Sequence, residues 1–257
     1  MIFKSIFYSF FILVFFIGCS SDEHKEEQHH EKEHIHWGYT GKGAPEHWGA
    51  LKPEFAMCSK GKMQTPINII PTKDVRLRPL HFDYQAPATT IINNGHSIQV
   101  NVAPGSTLRV NGVTYELKQF HFHTPSENHV VNHEFALEAH FVHATHNGDL
   151  AVVAVMFEEG RENRALQKIW SHFPKQKNKE IPINLSEREI FSLMPRIKDY
   201  FTFMGSLTTP PCSENVKWIV LKTPMSISSE QVHKFFRVFG HPNNRPIQPT
   251  NNRVIYE

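Results

Sequence analysis

The sequence carries almost no net charge, since 27 lysines and arginines are balanced by 25 aspartates and glutamates, for a formal charge of +2. This balance leaves no electrostatic basis for binding nucleic acid or a strongly anionic partner. The chain also contains no internal repeat. With 257 residues, of which 40% are hydrophobic, it has enough apolar material for one large domain with its own core.

The apolar run at the N-terminus is too short for a membrane-spanning helix. It extends from Ile6 to Ile17, about twelve residues, whereas a spanning helix needs about 20. The run follows Lys4 and ends in Gly18-Cys19-Ser20, which resembles the lipobox of bacterial lipoproteins. The sequence therefore predicts a signal peptide at residues 1–18, lipidation of Cys19 as the first mature residue, and export to the periplasm or cell envelope. Ordinary cleavage and an uncleaved anchor are the alternatives.

Cysteine is scarce, with three in the whole chain. When Cys19 is assigned to the export signal, Cys58 and Cys212 remain as an even pair. If they bridge in an oxidising compartment, the chain-entropy model gives a stabilisation of roughly 5 kcal/mol. The alternative is two unrelated buried thiols.

Residues 19–35 lack apolar periodicity and consist mostly of His, Glu, Lys and Asp. This composition predicts a solvated tether between the export signal and a domain at residues 36–257. The tether histidines have two interpretations. Either they capture zinc or other divalent cations, or the segment is a spacer that happens to be rich in histidine.

From residue 36 onward the sequence mainly predicts strands. Asn111-Gly112 lies between alternating residues at 107–115, which predicts a hairpin. Apolar segments predict buried strands at 135–143, 150–157 and 218–221.

Helices are fewer, and two apolar faces at helical spacing predict them. One face consists of Leu166, Ile169, Trp170 and Phe173, and the other, after the capping residues Ser228 and Ser229, of Val232, Phe235, Phe236 and Phe239. Because no regular strand–helix alternation occurs, the sequence predicts a mainly β (α+β) single domain. It should be built on a large, mostly antiparallel central sheet with a few short peripheral helices.

Histidine is abundant, with 18 residues, and three of them have the positions of metal ligands. On a strand, Gln119, His121 and His123 share one face, with Phe120 and Phe122 on the other. In the next predicted strand, Glu138, His140 and Val142 share a face.

If those two strands are neighbours, His140 completes a set of three nitrogen ligands. Three imidazoles with an open fourth position are typical of catalytic zinc, because structural zinc sites usually close with four protein ligands. No cysteine lies near these histidines, which disfavours a zinc finger or ribbon. Gln119 and Glu138 are placed to fix the imidazole tautomers by accepting hydrogen bonds from the ring nitrogens that do not bind the metal. Spacing alone leaves open that His140 is an ordinary core histidine and that the strands do not meet.

Several motifs in one order resemble the α-class carbonic anhydrases, in the form found in exported bacterial members. They extend from about residue 36 to the C-terminus and comprise 36–39 (HWGY), 64–69 (QTPINI), 93–96 (NNGH), 119–123 (QFHFH), 126–127 (SE), 138–143 (EAHFVH), 205–211 (GSLTTPP) and 244–249 (NRPIQP). Any one of these motifs could arise by chance, whereas the ordered set is specific to this family.

The resemblance implies an enzyme that hydrates CO2 reversibly to bicarbonate and a proton by attack of zinc-bound hydroxide. It assigns the Zn²⁺ ligands to His121, His123 and His140. It also makes Thr208 the hydroxyl that orients the nucleophile. Because an ionised Glu127 only accepts hydrogen bonds, Thr208 must donate to it. Taken alone, Glu127 reads as a structural carboxylate.

Other roles follow from the resemblance. The resemblance assigns a substrate site for CO2 to Val142, Val152, Leu207 and Trp218, together with Thr209. Taken alone, each of the apolar residues would be interpreted as an ordinary core residue. His96 matches the proton shuttle, with a surface histidine as the alternative.

The resemblance also pairs Cys58 with Cys212 as a disulfide and places cis peptide bonds before Pro66 and Pro211. Two positions depart from the usual family pattern. Asn128 stands where histidine is usual, which predicts a changed hydrogen bond behind the ligands. Thr124 stands where animal members have tryptophan.

Two other function classes compete with the enzyme. A non-catalytic, carbonic-anhydrase-like binding module typically lacks a zinc histidine, whereas this chain keeps all three. A periplasmic zinc-storage protein is supported only by the histidine-rich tether. The expected small-molecule partners are CO2 and bicarbonate, with no nucleic acid, and the sequence is compatible with a lipid anchor and a homodimer.

Overall fold

The computed structural model describes residues 36–257, and most of its strands form one eleven-stranded sheet. The predicted signal peptide (1–18), Cys19 and the tether (19–35) lie outside the described residues. The strands are β1 Asn68–Ile69, β2 His81–Asp83, β3 Ala88–Asn93, β4 Ile98–Val102, β5 Thr107–Val110, β6 Val113–His123, β7 His129–Val130, β8 Leu137–Ala144, β9 Leu150–Glu159, β10 Ile181–Leu185, β11 Tyr200–Ser206, β12 Glu214–Leu221 and β13 Met225–Ile227.

The spatial order of the sheet is β10-β3-β4-β6-β8-β9-β12-β11, with β5 also pairing with β6, β2 with β5, and β13 with β9. Within this sheet of the described chain, every pair is antiparallel except β9 with β12 and β9 with β13. β1 and β7 form a separate parallel pair. The mainly β architecture with a mostly antiparallel central sheet is therefore confirmed.

The hairpin between β5 and β6 forms at the predicted Asn-Gly turn. Asn111 and Gly112 both have positive φ, at 50° and 85°, as a two-residue type I′ turn requires. Because Val110 then pairs with Val113, the turn sets the register of β6. This register decides which side chains of the long strand β6 face each side of the sheet.

The helices are short: two precede the first strand, two lie between strands, and one follows the last strand. They are α1 Trp48–Leu51, α2 Met57–Lys60, α3 Arg164–Trp170, α4 Glu187–Phe191 and α5 Ser229–Phe239. Ser228 is the N-cap of α5, where its hydroxyl accepts from the Gln231 backbone N–H and the Gln231 side chain accepts from the Ser228 backbone N–H. Trp170 at the end of α3 donates from its indole to the Gln231 carbonyl, at 2.8 Å. Both predicted helices form, and Trp170 stacks on Phe235 between them. Of the predicted apolar faces, Phe173 lies beyond the end of α3, and Phe236 is not part of the core cluster that includes Phe235. None of the helices in residues 36–257 has the length and hydropathy needed to cross a membrane.

Alternation along the central strands separates a main core from the face that carries the predicted site. Phe120, Phe122 and Phe141 lie in the larger hydrophobic cluster, with no exposed surface. Val152 and Trp218 lie in a second cluster, which Val142 and Leu207 border. The period of two predicted for these strands is therefore confirmed, and it leaves the imidazoles on the face opposite the phenylalanines.

Cys58 and Cys212 form a disulfide, as the resemblance implied. The bridge joins α2 to the loop that follows Thr208 and packs beside the buried Trp48. The peptide bonds before Pro66 and Pro211 are cis, as predicted, and a third cis bond precedes Pro125. Sequence analysis did not predict the third.

Candidate metal centre

The three predicted histidines converge because β6 and β8 are neighbours. His121 lies opposite His140 in the antiparallel register, and His123 lies one residue pair further along the same face. One ring nitrogen from each histidine lies within 4.8 Å of the others. His123 and His140 are almost fully buried, at 1% and 2% exposure. The prediction that the two strands meet is confirmed.

An acceptor lies within 2.9 Å of the second ring nitrogen of each imidazole. His121 donates from Nδ1 to Gln119 Oε1 at 2.9 Å, and His123 donates from Nδ1 to the Asn243 carbonyl at 2.7 Å. Glu138 Oε1 lies 2.9 Å from His140 Nε2. These partners leave Nε2 of His121, Nε2 of His123 and Nδ1 of His140 for a metal ion.

Gln119 and Glu138 lie beside the imidazoles for which they were predicted, whereas Asn243 was missed. It acts through its backbone carbonyl, 120 positions along the chain from His123, and a backbone acceptor has no side-chain signature in a sequence. The only sequence signal available was its position directly before the 244–249 motif.

The donor set fits a zinc ion. The Nε2 of His123 is buried and has no hydrogen-bond partner within residues 36–257. Burial lowers the pKa of all three histidines, and for His121 the neighbouring imidazoles lower it further. They are therefore neutral near pH 7, which is the form that binds metal. Three neutral nitrogen donors with room for a further ligand match catalytic rather than structural zinc.

Glu127 lies beside this cluster, with 1% exposure. Its Oε1 accepts from the Arg245 backbone N–H at 2.8 Å, while Oε2 lies 3.5 Å from His123 Nε2 and 3.9 Å from His140 Nδ1. Burial raises the pKa of Glu127 to about 8, and the Thr208 hydroxyl and the Arg245 N–H oppose that rise. The structure thus brings together the predicted Glu127 and Thr208.

Arg245 is a second residue whose role sequence analysis missed, although it lies in a quoted motif. Arg245 is 2% exposed. It donates to Gln64 Oε1, the Thr65 carbonyl and the Cys58 carbonyl, at 2.9, 2.8 and 2.7 Å. The guanidinium therefore ties the backbone that holds Glu127 to the disulfide segment.

The residues predicted to form an apolar wall for CO2 lie in or against one hydrophobic cluster, which contains Val152 and Trp218 and is bordered by Val142 and Leu207. Val142 pairs with Val152 across β8 and β9, and Val152 pairs with Trp218 across β9 and β12. The Trp218 ring lies 5.0 Å from the His140 ring, so the wall adjoins the metal ligands. Gly205 permits this arrangement, because a Cβ there would lie 2.7 Å from Trp218 Cδ1.

Leu207 borders the same cluster. Thr209 is half-buried on the loop after Thr208, where its carbonyl accepts from the Cys212 N–H at 2.8 Å. It does not belong to the apolar cluster that contains the wall.

His96 is held at a turn and stacked on aromatic rings. Asn94 Oδ1 accepts from the backbone N–H groups of His96 and Ser97, which fixes the turn. The His96 ring lies 3.6 Å from the Trp37 ring, with an interplanar angle of 11°, and 5.3 Å from the His36 ring. Burial lowers the pKa of His96 to about 4, with further lowering from the neighbouring His36, Lys177 and His241.

Tyr39 interacts with both His96 and Glu127. Its ring is 6.5 Å from the His96 ring, and its hydroxyl is buried without a partner in the described chain. Burial raises the pKa of Tyr39 well above its ordinary value, and the Glu127 charge raises it further. Sequence analysis quoted the 36–39 motif but assigned no role to Trp37 or Tyr39.

Comparison with known proteins gives consistent matches over this domain. The family described as "Eukaryotic-type carbonic anhydrase" matches residues 43–257. A "Carbonic anhydrase" of Pectobacterium carotovorum is 47% identical over 221 residues, covering 86% of this chain and 90% of the relative. One of Neisseria gonorrhoeae is 47% identical over 226 residues, covering 87% of this chain and 88% of the relative.

A solved structure agrees with these sequence matches. The Photobacterium profundum α-carbonic anhydrase superposes with a TM-score of 0.80 at 48% identity, covering 86% of this chain and all of that one. The chain therefore belongs to the eukaryotic-type, or α-class, carbonic anhydrase family of enzymes.

Proposed function

We propose that this chain is a zinc-dependent carbonate dehydratase, which interconverts CO2 and bicarbonate. The observation that carries the proposal is the convergence of three neutral imidazoles, each oriented by its own acceptor, beside Glu127 and an apolar wall. His121, His123 and His140 would hold the ion. A bound Zn²⁺ lowers the pKa of water to about 7, which supplies hydroxide at neutral pH.

Thr208 orients the nucleophile through Glu127. Glu127 Oε2 lies within 4 Å of two of the imidazoles, so its ionised form would be favoured when they hold a dication. An ionised carboxylate accepts only, so the Thr208 hydroxyl donates to Glu127 and keeps its lone pair for the nucleophile. One hydroxyl thereby fixes the direction in which the nucleophile faces CO2.

The apolar wall receives CO2, which has no net dipole and gains little from a polar clamp. Val142 and Val152 form the part of the wall contributed by β8 and β9, and Trp218 extends it toward His140. Van der Waals contact with this surface places the carbon near the nucleophile.

Replacing Val142 by tyrosine is expected to block CO2 while zinc remains bound. The larger side chain fills the space in front of the wall without touching the ligand nitrogens, so hydration falls by about 10²-fold, the loss that a small misplacement of a reactant brings. Hydration rate and zinc content are measured on the same preparation, with Val142→Ala as the control. Full activity in Val142→Tyr would remove Val142 from the substrate site.

His96 passes protons from the site to buffer. In the stacked position its ring is neutral at pH 7, since its pKa lies at about 4. A neutral imidazole accepts a proton.

The variant His96→Ala is expected to slow turnover in weak buffer by up to about 10²-fold, the low end for a proton-transfer group. Added imidazole restores the rate. The pH dependence identifies the state of the ring. Because the His96 pKa is about 4, the ring is neutral from about pH 8 down to about pH 5. The ratio of the wild-type rate to the His96→Ala rate is therefore expected to stay constant over this range. An ordinary ring loses its acceptor form as pH falls through about 6.5, so a ratio that declines there would reject the buried, stacked ring as the acceptor.

Stopped-flow CO2 hydration by the purified chain, before and after treatment with a zinc chelator, tests the proposed function. We expect catalysis that disappears with the metal and returns on adding one equivalent of zinc. A folded, zinc-loaded protein without hydration activity would instead favour a binding module. Several loosely held ions per chain would favour zinc storage by the tether at 19–35.

We further propose that residues 1–18 direct export and that Cys19 carries a lipid anchor, on the strength of the lipobox-like sequence 18–20. Mass spectrometry of the N-terminal peptide from membrane fractions tests the anchor, and an unmodified Cys19 thiol in a soluble pool would contradict it. Sedimentation of the domain at residues 36–257 tests the homodimer.

A further inference from the structure

The carboxylate of Glu138 has an unusually complete set of partners for a group with no exposed surface. Its Oε2 accepts from the backbone N–H groups of Glu127 and Asn128, both at 2.8 Å. Its Oε1 accepts from Asn128 Nδ2 at 2.8 Å and lies 2.9 Å from His140 Nε2. Two of the four contacts therefore come from a single residue, Asn128.

Asn128 is itself fixed in one orientation. Its Oδ1 accepts from the Ile67 backbone N–H at 3.0 Å, so Nδ2 must face Glu138. Asn128 has no exposed surface, and water therefore does not supply a substitute donor. A carboxamide suits this position because it offers an acceptor on one side and a donor on the other. This is also the position at which the sequence departs from the usual histidine.

We propose that Asn128 is a positioning residue for the metal centre, which orients Glu138 and through it directs Nδ1 of His140 toward the metal. The inference rests on the proposed zinc function and adds a residue that touches neither metal nor substrate. Without the Nδ2 donor, Oε1 of Glu138 loses one of the two contacts that hold it against the imidazole. The His140 ring is then free to rotate, and the metal is held less tightly.

Two variants and a matched control test this. Asn128→Asp keeps an oxygen that accepts from the Ile67 N–H but replaces the Nδ2 donor facing Glu138 with a second oxygen. Asn128→Ser shortens the side chain so that it no longer reaches Glu138. Asn163 provides the control, since it is also buried, accepts from Leu166 N–H at 3.1 Å and donates to the Ser226 carbonyl at 3.2 Å, at the start of α3. Asn163→Asp and Asn163→Ser change equivalent bonds away from the metal ligands.

The measured quantities are the rate of zinc release into excess chelator, the visible absorption bands of the cobalt(II)-substituted protein, and the melting temperature of the metal-free protein. We expect both Asn128 variants to release zinc about 10- to 100-fold faster than wild type and to shift the cobalt bands. The metal-free Asn128 variants should melt at temperatures no lower than the metal-free Asn163 variants. The Asn163 variants should release zinc at the wild-type rate.

Zinc release at the wild-type rate from both Asn128 variants would overturn the proposal, while the proposed function would stand. Failure of both variants to fold, or a loss confined to the melting temperature, would make Asn128 a structural residue and overturn it equally. A wild-type protein that holds no stoichiometric zinc would overturn the proposed function and this inference together.

Discussion

His123→Ala is expected to abolish stoichiometric zinc binding and to reduce CO2 hydration to the background rate, a loss on the order of 10⁶-fold. His123 contributes the buried Nε2 that has no protein partner in the described chain. The Asn243 carbonyl and the register with β8 hold its ring, so no neighbouring side chain takes its place. Two remaining imidazoles do not complete the three-nitrogen set of a catalytic zinc site.

A buried histidine outside the metal cluster provides the matched control. His143 lies on β8 with no exposed surface; its Nδ1 donates to the Phe141 carbonyl, and its Nε2 accepts from the Tyr84 hydroxyl at 2.7 Å. His143→Asn is expected to destabilise the fold by about 1–3 kcal/mol, through imperfectly satisfied buried groups, but to keep one zinc per chain. Metal content by elemental analysis and hydration by stopped flow separate the two variants. Retention of stoichiometric zinc by His123→Ala would contradict the ligand assignment.

Local periodicity predicted much of the fold. The alternation of His121, Phe120 and His123 fixed which residues share a face, and the Asn111-Gly112 turn predicted the hairpin that sets the register of β6. The same reasoning did not establish that β6 and β8 are neighbours, because strand pairing depends on interactions remote in sequence. The ordered family motifs supplied that information.

The parts of the site that were missed act through the backbone or through distant contacts. Asn243 binds His123 with a carbonyl, and Arg245 binds Glu127 with a backbone N–H. Neither function depends on side-chain type, so no residue pattern signals it. The stacked state of His96 was also beyond sequence reasoning, because at a turn the direction of a ring depends on contacts with Trp37 and His36.

Thr208→Val is expected to reduce kcat/KM by about 10²-fold, the loss typical of removing one preorganised hydrogen-bonding group, while leaving zinc content unchanged. Valine preserves the shape of threonine but removes the hydroxyl that we propose donates to Glu127 and that lowers the pKa of its carboxyl. Thr208→Ser keeps the hydroxyl and should retain most of the activity. A Thr208→Val enzyme with wild-type kcat/KM would show that the hydroxyl does not orient the nucleophile.

Glu127→Gln should produce the same loss for a different reason. Because the Arg245 N–H donates to Oε1, a glutamine must place its carbonyl oxygen there and direct its NH2 toward Thr208. Thr208 would then accept from the glutamine NH2, and its O–H would be left to donate to the nucleophile, which reverses the hydrogen bond that orients the nucleophile. Since both substitutions break one chain of hydrogen bonds, the double variant should lose little more than either single variant. Losses that multiply in kcat/KM would instead mean that Glu127 and Thr208 act independently.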